Sequence, residues 1–461
     1  MRRIFLSKLS FTIALGAICA GTVWGQAPEV QANSGQPSDR AQEYQGPSIL
    51  SRDKSLLGER GGKLIDFRFY GQLSGIYDTG LTPVAVDANS NLVNIGGSSG
   101  VEAGFGLIGS RRWRRDQLSL EYKGTYRHYP GNQYFDGVDQ FLNLGYGRVL
   151  TRRLNLNLKE TVGTSSLANG GFSYVPLTNT DLFAVPANEL FDNRTNFAQS
   201  RVDVTWQQTS RLSYGFGGQG FVVRRRSFAL AGLDGFGAHS DIAYRITKRQ
   251  TVSFQYDFSH FDFQRTFGDA DIHTASLGWS VSLGQKWDLS LQGGASRTFV
   301  RGLTQVSLDP AIAAIVGRSV AVVQFDRAVV IPTYGGRATR RFDRSLLNLS
   351  ANRGASPGNG VYLTSRQTAL AALYSYTGIR KWTLGANGAY SELSALGQTL
   401  GKFKNVQAGV GATYKLANAT HLEFRYDLRH YTTQNNTFRK NSDRFSLGIA
   451  FSPGETPLAI W

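Results

Sequence analysis

One pattern recurs along this chain: apolar side chains occupy every second position, and polar or charged side chains stand between them. The clearest stretch is HLEFRYDLRHY (His421–Tyr431). Its apolar residues are Leu422, Phe424, Tyr426 and Leu428, and its charged residues are Glu423, Arg425, Asp427 and Arg429. Successive side chains of a β-strand point to opposite faces. The pattern therefore predicts a strand with one face in an apolar medium and the other in water or ion pairs.

The alternation is repeated from about Leu64 to Phe451. Further clear examples begin at Ile65, Leu118, Leu154 and Val252. Each stretch covers about ten residues or more, whereas strands of soluble sheets usually have about five or six. A tilted strand needs about nine to eleven residues to cross a bilayer core. The length favours a membrane barrel over a soluble sandwich.

The connections between these stretches alternate between tight and longer. We predict tight turns near residues 111–115, 151–152, 209–211, 247–249, 284–286, 340–343, 377–380 and 416–419. We predict longer connections near 79–98, 130–136, 166–196, 224–235, 262–270, 299–325, 354–360, 394–402 and 433–441. Transmembrane barrels have this asymmetry, with short periplasmic turns and longer outer loops.

Eight tight turns and nine longer connections predict an all-β fold: a transmembrane antiparallel up-and-down β-barrel of about 18 strands. Both chain ends then lie on the periplasmic side. The count is weakest at residues 299–341, where one strand is placed near 326–340 and carries Pro332, so 16 to 20 strands are admitted. LDPAIAAIVG (308–317) predicts a short helix with Asp309 as its cap. The connections 166–196 and 299–325 are candidates to fold inward.

The N-terminus predicts the compartment. Residues 1–25 have a basic start, a short apolar stretch and small residues at the end, which is typical of a secretory signal peptide. Residues 26–63 are rich in Pro, Gln, Ser and Gly and predict a disordered periplasmic lead-in. The barrel is predicted over residues 64–461. The single cysteine, Cys19, lies within the signal, so the mature chain has no thiol for a disulfide or a metal site.

The formal net charge of +17 would suit a nucleic-acid partner, but the basic residues are scattered singly and no binding motif accompanies them. We therefore predict no nucleic-acid partner. The six histidines lie in no metalloprotease or nucleophile motif. The glycine-rich runs at 96–100 and 354–360 are followed by no Lys-Ser/Thr and predict flexible outer loops instead of phosphate-binding loops. We predict no enzyme activity, no metal site and no cofactor.

The signal, the repeated strands and the final stretch SDRFSLGIAFSPGETPLAIW together resemble a Gram-negative outer-membrane β-barrel of the porin-like kind. SLLNLSANRGASPGNGVYLTSR also resembles uncharacterised barrels of environmental bacteria. The resemblance covers about residues 64–461. It implies an outer-membrane location, outer-membrane lipid as surroundings, and recognition of the C-terminal strand by the barrel-assembly machinery. It does not imply an oligomeric state.

The alternation assigns side chains to the two faces of the barrel, because a charge on the lipid face is strongly disfavoured. We predict that the lumen is lined by Arg68, Arg127, Arg201, Asp203, Arg245, Asp257, Arg337, Glu423, Arg425, Asp427, Arg429 and Arg444. We predict that lipid is faced by Leu422, Phe424, Tyr426, Phe445, Leu447, Ile449 and Phe451.

A barrel of this size has an interior too wide for side chains to fill, so it is a channel or is plugged by loops. The leading hypothesis is a channel for diffusion of small hydrophilic solutes, with a mild preference for anions because arginine is in excess. A second interpretation is that the luminal ion pairs only stiffen the wall. Export of an acidic exopolysaccharide through an Arg-rich lumen, as the resemblance allows, and a plugged structural or adhesion barrel are the alternatives.

Overall fold

The computed structural model describes residues 65–79, 81, 85–86, 92–93, 97–131, 133–165, 194–284, 286–396, 401–433 and 438–451. The predicted signal peptide and lead-in, most of the 166–196 connection and the terminal Trp461 lie outside the described residues. No helix of the described part is long and apolar enough to cross a membrane.

The described residues form strands almost throughout. The strands are β1 (Ile65–Asp78), β2 (Ala85–Val86), β3 (Leu92–Val93), β4 (Ser98–Arg112), β5 (Asp116–His128), β6 (Gly137–Thr151), β7 (Leu154–Ser165), β8 (Thr195–Gln207), β9 (Leu212–Arg225), β10 (Gly232–Thr247), β11 (Gln250–Gln264), β12 (Gly268–Leu283), β13 (Trp287–Ser307), β14 (Val320–Arg341), β15 (Ser345–Ser356), β16 (Ser365–Tyr376), β17 (Trp382–Ala395), β18 (Lys402–Lys415), β19 (Thr420–Thr433) and β20 (Phe438–Phe451). A 3₁₀ turn (Gln133–Phe135) and one α-helix, α1 (Pro310–Val316), complete the described elements.

Eighteen of these strands form one sheet that closes on itself. Each strand pairs antiparallel with its neighbours in the chain, and β1 closes the ring by pairing with both β4 and β20. The short strands β2 and β3 pair only with each other. The predicted fold class, an antiparallel up-and-down barrel of about 18 strands, is confirmed.

The eight tight turns lie where the sequence predicts them, and they all lie at one end of the barrel. Threonine closes several of them. The hydroxyl oxygen of Thr151 accepts a hydrogen bond from the Leu154 N–H (3.1 Å), and that of Thr209 accepts one from the Leu212 N–H (3.0 Å). Such side-chain bonds to nearby backbone stabilise turns. The connections at the other end differ more: the predicted long connection at 262–270 is a short turn between Gln264 and Gly268.

The predicted loop at 299–325 is mostly strand. Pairing of β13 with β14 continues from Trp287 opposite Arg340 up to Ser307 opposite Val320. The helix predicted at the tip is confirmed: the Asp309 side chain accepts a hydrogen bond from the Ala311 N–H (2.8 Å). The interpretation of 299–325 as an inward-folding loop is therefore wrong, because strand pairing continues through most of it.

β14 contains Pro332, which removes one backbone donor. Pairing of β14 with β15 extends only from Arg341 opposite Leu346 to Tyr334 opposite Arg353. No described strand pairs with β14 on that side beyond Tyr334. Pro332 thus lies where β14 becomes an edge strand, the position that proline tolerates in a sheet.

Candidate functional site

The two faces of β19 differ sharply. Phe424 is 46% exposed, whereas Asp427 and Arg429 are 5% and 3% exposed. Arg425 lies beside Asp427, with its Nε 2.6 Å from a carboxylate oxygen. One face of the strand therefore carries exposed apolar side chains, and the other carries charges that contact one another.

The residues predicted to face lipid share the first of these faces. Six are exposed and Tyr426 is half-buried. The exposed six are Leu422, Phe424, Phe445, Leu447, Ile449 and Phe451. Backbone register places them side by side, since Phe424 lies opposite Leu447 and Leu422 opposite Ile449.

The polar face carries a network of ion pairs that crosses several strands. The Arg127 Nε lies 2.5 Å from a Glu102 carboxylate oxygen, and its Nη1 contacts Asp139. The same Glu102 oxygen lies 2.6 Å from Nη2 of Arg444, whose Nε is 3.9 Å from Asp78. The structure thus brings Arg127 and Arg444, both predicted site residues, onto one carboxylate that the sequence did not single out.

The alternation pattern did not predict that Glu102, Asp139 and Asp78 lie on the polar face, and the reasons differ. Glu102 follows a glycine-rich run that predicted a loop, yet it lies in β4. Asp139 and Asp78 are close to strand ends, where alternation gives no clear parity. Each is buried or nearly so, and Asp78 is fully buried. Alternation of Val101, Ala103 and Phe105 with their neighbours was the signal that could have found Glu102.

A second cluster lies on β8 to β10. The Arg201 Nε contacts Asp203 (2.8 Å), and the other Asp203 oxygen lies 2.9 Å from Nε2 of His239. Asp203 and His239 lie on strands that flank Gly217, and a Cβ at Gly217 would come within 2.2 Å of the His239 ring and 2.5 Å of Asp203. The missing side chain at Gly217 is therefore what allows the carboxylate and the imidazole to meet.

The remaining predicted residues are not part of these clusters. Asp257 accepts a hydrogen bond from Gln255 (2.9 Å), and Arg245 lies opposite Thr251 near a tight turn. Arg337 lies opposite Ser290 and Ser350 and contacts no carboxylate among the described residues. The side chain of Arg68 lies outside the described residues, although its backbone is in β1.

Charge on the polar face is unevenly distributed around the barrel. Both clusters lie on the strands from β19 through β20 and β1 to β10. The strands from β15 to β17 place small or neutral side chains at the matching positions. Examples are Asn348, Ser350, Asn352, Ala371 and Asn387. Arg337 on β14 adjoins this neutral part of the wall.

The connection between β15 and β16, which we call the 357–364 loop, is largely buried. Asn359 is 0% exposed and Tyr362 is 3% exposed. The Asn359 Oδ1 accepts a hydrogen bond from the Tyr362 N–H (3.0 Å), and the Asn359 N–H donates to the Tyr362 carbonyl oxygen (2.9 Å). We predicted a flexible outer loop for 354–360, and the structure shows a tightly packed segment instead.

Two glycines let the 357–364 loop adopt this shape. Gly358 and Gly360 have φ of 77° and 91°, a backbone conformation that other residues rarely adopt. A Cβ at Gly360 would also lie 2.8 Å from Nε of Arg225 on β9. The loop backbone therefore closely approaches a distant part of the ring, and the carbonyl oxygen of Gly360 accepts a hydrogen bond from the Ala231 N–H (3.0 Å).

The 357–364 loop contacts two apolar clusters on distant strands. Leu363 packs against the cluster on β9 to β12, which contains Phe221 and Phe261. Tyr362 packs in the cluster on β17 to β19, with its ring centroid 6.2 Å from that of Phe403. These strands are separated by several others around the ring. The loop thus spans the end of the barrel opposite the tight turns.

The described residues contain no group of three or more His, Cys, Asp or Glu side chains placed to hold a metal ion. The chemistry available on the polar face is hydrogen bonding and charge, supplied mainly by guanidinium and carboxylate groups.

No family model matches the sequence, and no curated protein sequence is similar to it. Solved structures are similar at a low level. A BenF-like porin from Pseudomonas fluorescens Pf-5 is 10% identical, with 84% of this chain and 98% of that chain covered and a TM-score of 0.41. OccK2 (OpdF) of Pseudomonas aeruginosa, solved in complex with glucuronate, is 12% identical with the same coverage and a TM-score of 0.41.

The ferric citrate transporter FecA in its unliganded form is 10% identical, with 84% of this chain and 64% of that chain covered and a TM-score of 0.41. Similarities at this level carry no argument about function. The closed barrel is established by the strand pairing of the chain itself.

Proposed function

We propose that this protein is a channel of the Gram-negative outer membrane for small hydrophilic solutes. The exposed apolar face contacts lipid, the charged face lines the lumen, and the tight turns lie in the periplasm. An Arg or Lys on the lipid face costs about 2–4 kcal/mol near the bilayer midplane. With Arg425 and Asp427 alternating with Phe424, only this orientation keeps the charges of β19 in water.

The observation that carries the proposal is the closed ring of 18 strands with the 357–364 loop spanning one end. A ring of this size encloses more space than side chains fill. A packed loop at the end opposite the tight turns reduces the width of the opening at that end. Narrowing by a loop, with charged side chains on the wall below, supports passage of small polar solutes over large ones.

We further propose a mild preference for anions, which depends on Arg337. Its guanidinium group contacts no carboxylate among the described residues, whereas Arg127, Arg201, Arg425 and Arg444 each have one. A paired arginine presents little net charge to a passing ion. At about 7 Å in water a unit charge changes an ion's energy by about 0.6 kcal/mol, which is about threefold in population.

Planar-bilayer recording tests both parts. The purified protein should give stepwise conductance, and a salt gradient should give a reversal potential on the anion-selective side. Arg337→Gln should lower the anion-to-cation permeability ratio by about sevenfold, because the anion population falls about threefold and the cation population rises about threefold. Arg340→Gln is the matched control, since Arg340 lies over the Trp287 ring on the apolar face (4.9 Å).

The outcomes separate the two parts. A folded barrel that never conducts refutes the channel. Conductance with no change of reversal potential in Arg337→Gln leaves the channel standing and refutes the role of Arg337.

A further inference from the structure

On the apolar face of β13 to β16, three arginines away from the tight turns have no carboxylate partner among the described residues: Arg297 on β13, Arg353 on β15 and Arg366 on β16. Arg297 lies opposite Val330, which is 69% exposed, and Arg353 lies opposite Tyr334, which is 46% exposed. Unpaired positive charge on a lipid-facing surface is disfavoured unless an anion accompanies it. The placement of the three arginines therefore needs an explanation.

Two other arginines of the same face are paired with carboxylates. Arg224 contacts Asp234, and Arg301 lies 3.2 Å from Asp326. Arg297 has only the ring of Phe299 beneath its guanidinium carbon (4.6 Å). Arg353 has the Tyr334 hydroxyl at 3.3 Å, and its Nε is buried with no hydrogen-bond partner. These aromatic contacts position the guanidinium groups without neutralising them.

The height of Arg297 matches a headgroup layer. Arg297 follows Trp287, the first residue of β13, by ten residues. At about 3.3 Å per residue and a tilt of about 40°, Arg297 lies about 25 Å from the end with the tight turns. The apolar band of such barrels is about 25 Å tall. Arg297 is thus at the outer boundary of the band and not in its middle.

The wall is interrupted beside these arginines. Pairing between β14 and β15 ends at Arg353, and β14 continues to Val320 with no described strand on that side. Unpaired backbone N–H groups of an edge strand are donors that a phosphate can use. Arg366 is the diagonal neighbour of Arg353 across β15 and β16, about 7–8 Å away between Cβ atoms. Arg353, Arg366 and the amides of the β14 edge therefore lie beside one notch, and Arg297 lies across β14 from it, opposite Val330.

We propose that this notch binds the phosphate groups of an outer-leaflet glycolipid through Arg297, Arg353 and Arg366. The inference rests on the proposed outer-membrane placement but not on conductance. A guanidinium group bonds a phosphate with two parallel N–H donors, which a neutral headgroup cannot match. The apolar face below Val330 and Tyr334 accommodates the acyl chains, so a lipid phosphate fits the notch better than a free phosphate does.

Native mass spectrometry of the purified protein in a non-ionic detergent tests the proposal with lipid A as the probe. We expect wild type to retain lipid A and to retain its dephosphorylated form about tenfold less. The triple variant Arg297→Gln, Arg353→Gln, Arg366→Gln should retain lipid A about tenfold less than wild type. The control is Arg224→Gln, an arginine of the same face that already has a carboxylate partner.

Folding of each variant is checked by heat-modifiable migration on a gel, and single substitutions replace the triple variant if it fails to fold. Equal retention of lipid A by wild type and the variants overturns the proposal, as does equal retention of the dephosphorylated form. Displacement of lipid A by equimolar inorganic phosphate overturns the lipid as ligand. Bilayer conductance of the triple variant separates the two proposals: retained conductance with lost lipid binding supports both, and lipid binding without conductance refutes the channel alone.

Discussion

Truncation of Tyr362 tests whether the 357–364 loop narrows the barrel. The side chain is 3% exposed and packs against Leu393, Phe403 and Tyr431. Replacing a fully packed aromatic residue by alanine costs about 3–5 kcal/mol. A loop end can partly collapse into the space, so the lower value of about 3 kcal/mol is appropriate here.

A loss of about 3 kcal/mol lowers the ratio of docked to undocked loop by about two powers of ten, since each 1.4 kcal/mol is tenfold. Leu363 and the hydrogen bond between Gly360 and Ala231 remain and oppose complete release. We therefore expect Tyr362→Ala to show frequent transitions to a state of larger conductance than wild type, because the undocked loop no longer spans the opening.

Single-channel recording at fixed voltage measures this effect. Tyr374→Ala is the matched control: it removes the same side chain from the neighbouring strand, where Tyr374 is 40% exposed on the apolar face and does not pack in either cluster that the loop contacts. Wild-type conductance without new open levels in a folded Tyr362→Ala protein would show that the loop does not limit passage. An equal change in Tyr374→Ala would show that the effect is not specific to the loop.

Two further predictions concern stability and pH. Gly217→Ala should lower the free energy of unfolding of the barrel by about 1–3 kcal/mol, because the new Cβ displaces the half-buried Asp203 carboxylate and His239 ring, which contact each other. Gly220→Ala, where a Cβ meets nothing within 4 Å, should leave the unfolding temperature unchanged. Similar unfolding temperatures for the two variants would refute this reasoning. Partial burial opposes ionisation of Asp136, but hydrogen bonds from the Tyr129 N–H (2.7 Å) and the His128 ring lower its pKa below the usual value. Ionised Asp136 therefore stabilises the connection between β5 and β6 at pH values above the unfolded-state pKa of this carboxyl group. The stabilisation is lost as the pH falls through its lower folded-state pKa. Hydrogen exchange of the Tyr129 amide, corrected for intrinsic rate, should accelerate in that acid range, and a protection factor that does not change would contradict the assignment.

Local pattern was sufficient to predict the barrel because each strand carries its own signal. In β19, the alternation of Phe424 with Arg425 is enough to predict which face is apolar, because a register shift of one residue would exchange the two faces. The tight turns are equally local, as Thr151 and Thr209 hydrogen-bond residues two or three positions away. A barrel whose strands pair with their neighbours in the chain can thus be predicted largely from local sequence.

Contacts between distant strands could not be predicted from local sequence. The 357–364 loop was predicted to be flexible because Gly358 and Gly360 are typical of exposed turns. Their packing depends on Arg225 and Phe403, which lie far away in the chain. The same limit applies to Glu102, whose two arginine partners come from β5 and β20. Parity predicts the face of a side chain, but it does not predict its partner.

Pairing between β14 and β15 ends early, and the 357–364 loop runs inward across the end of the barrel. Both features have one structural cause. β14 continues beside β13 to Val320, whereas β15 leaves β14 after Arg353 and continues only beside β16. A chain that reached across the end of the barrel could not also extend the ladder along β14. Docking of Tyr362 and Leu363 therefore competes with further backbone pairing at the seam. The loop that narrows the opening and the notch that exposes backbone donors to lipid are two consequences of the same departure of β15 from its neighbour.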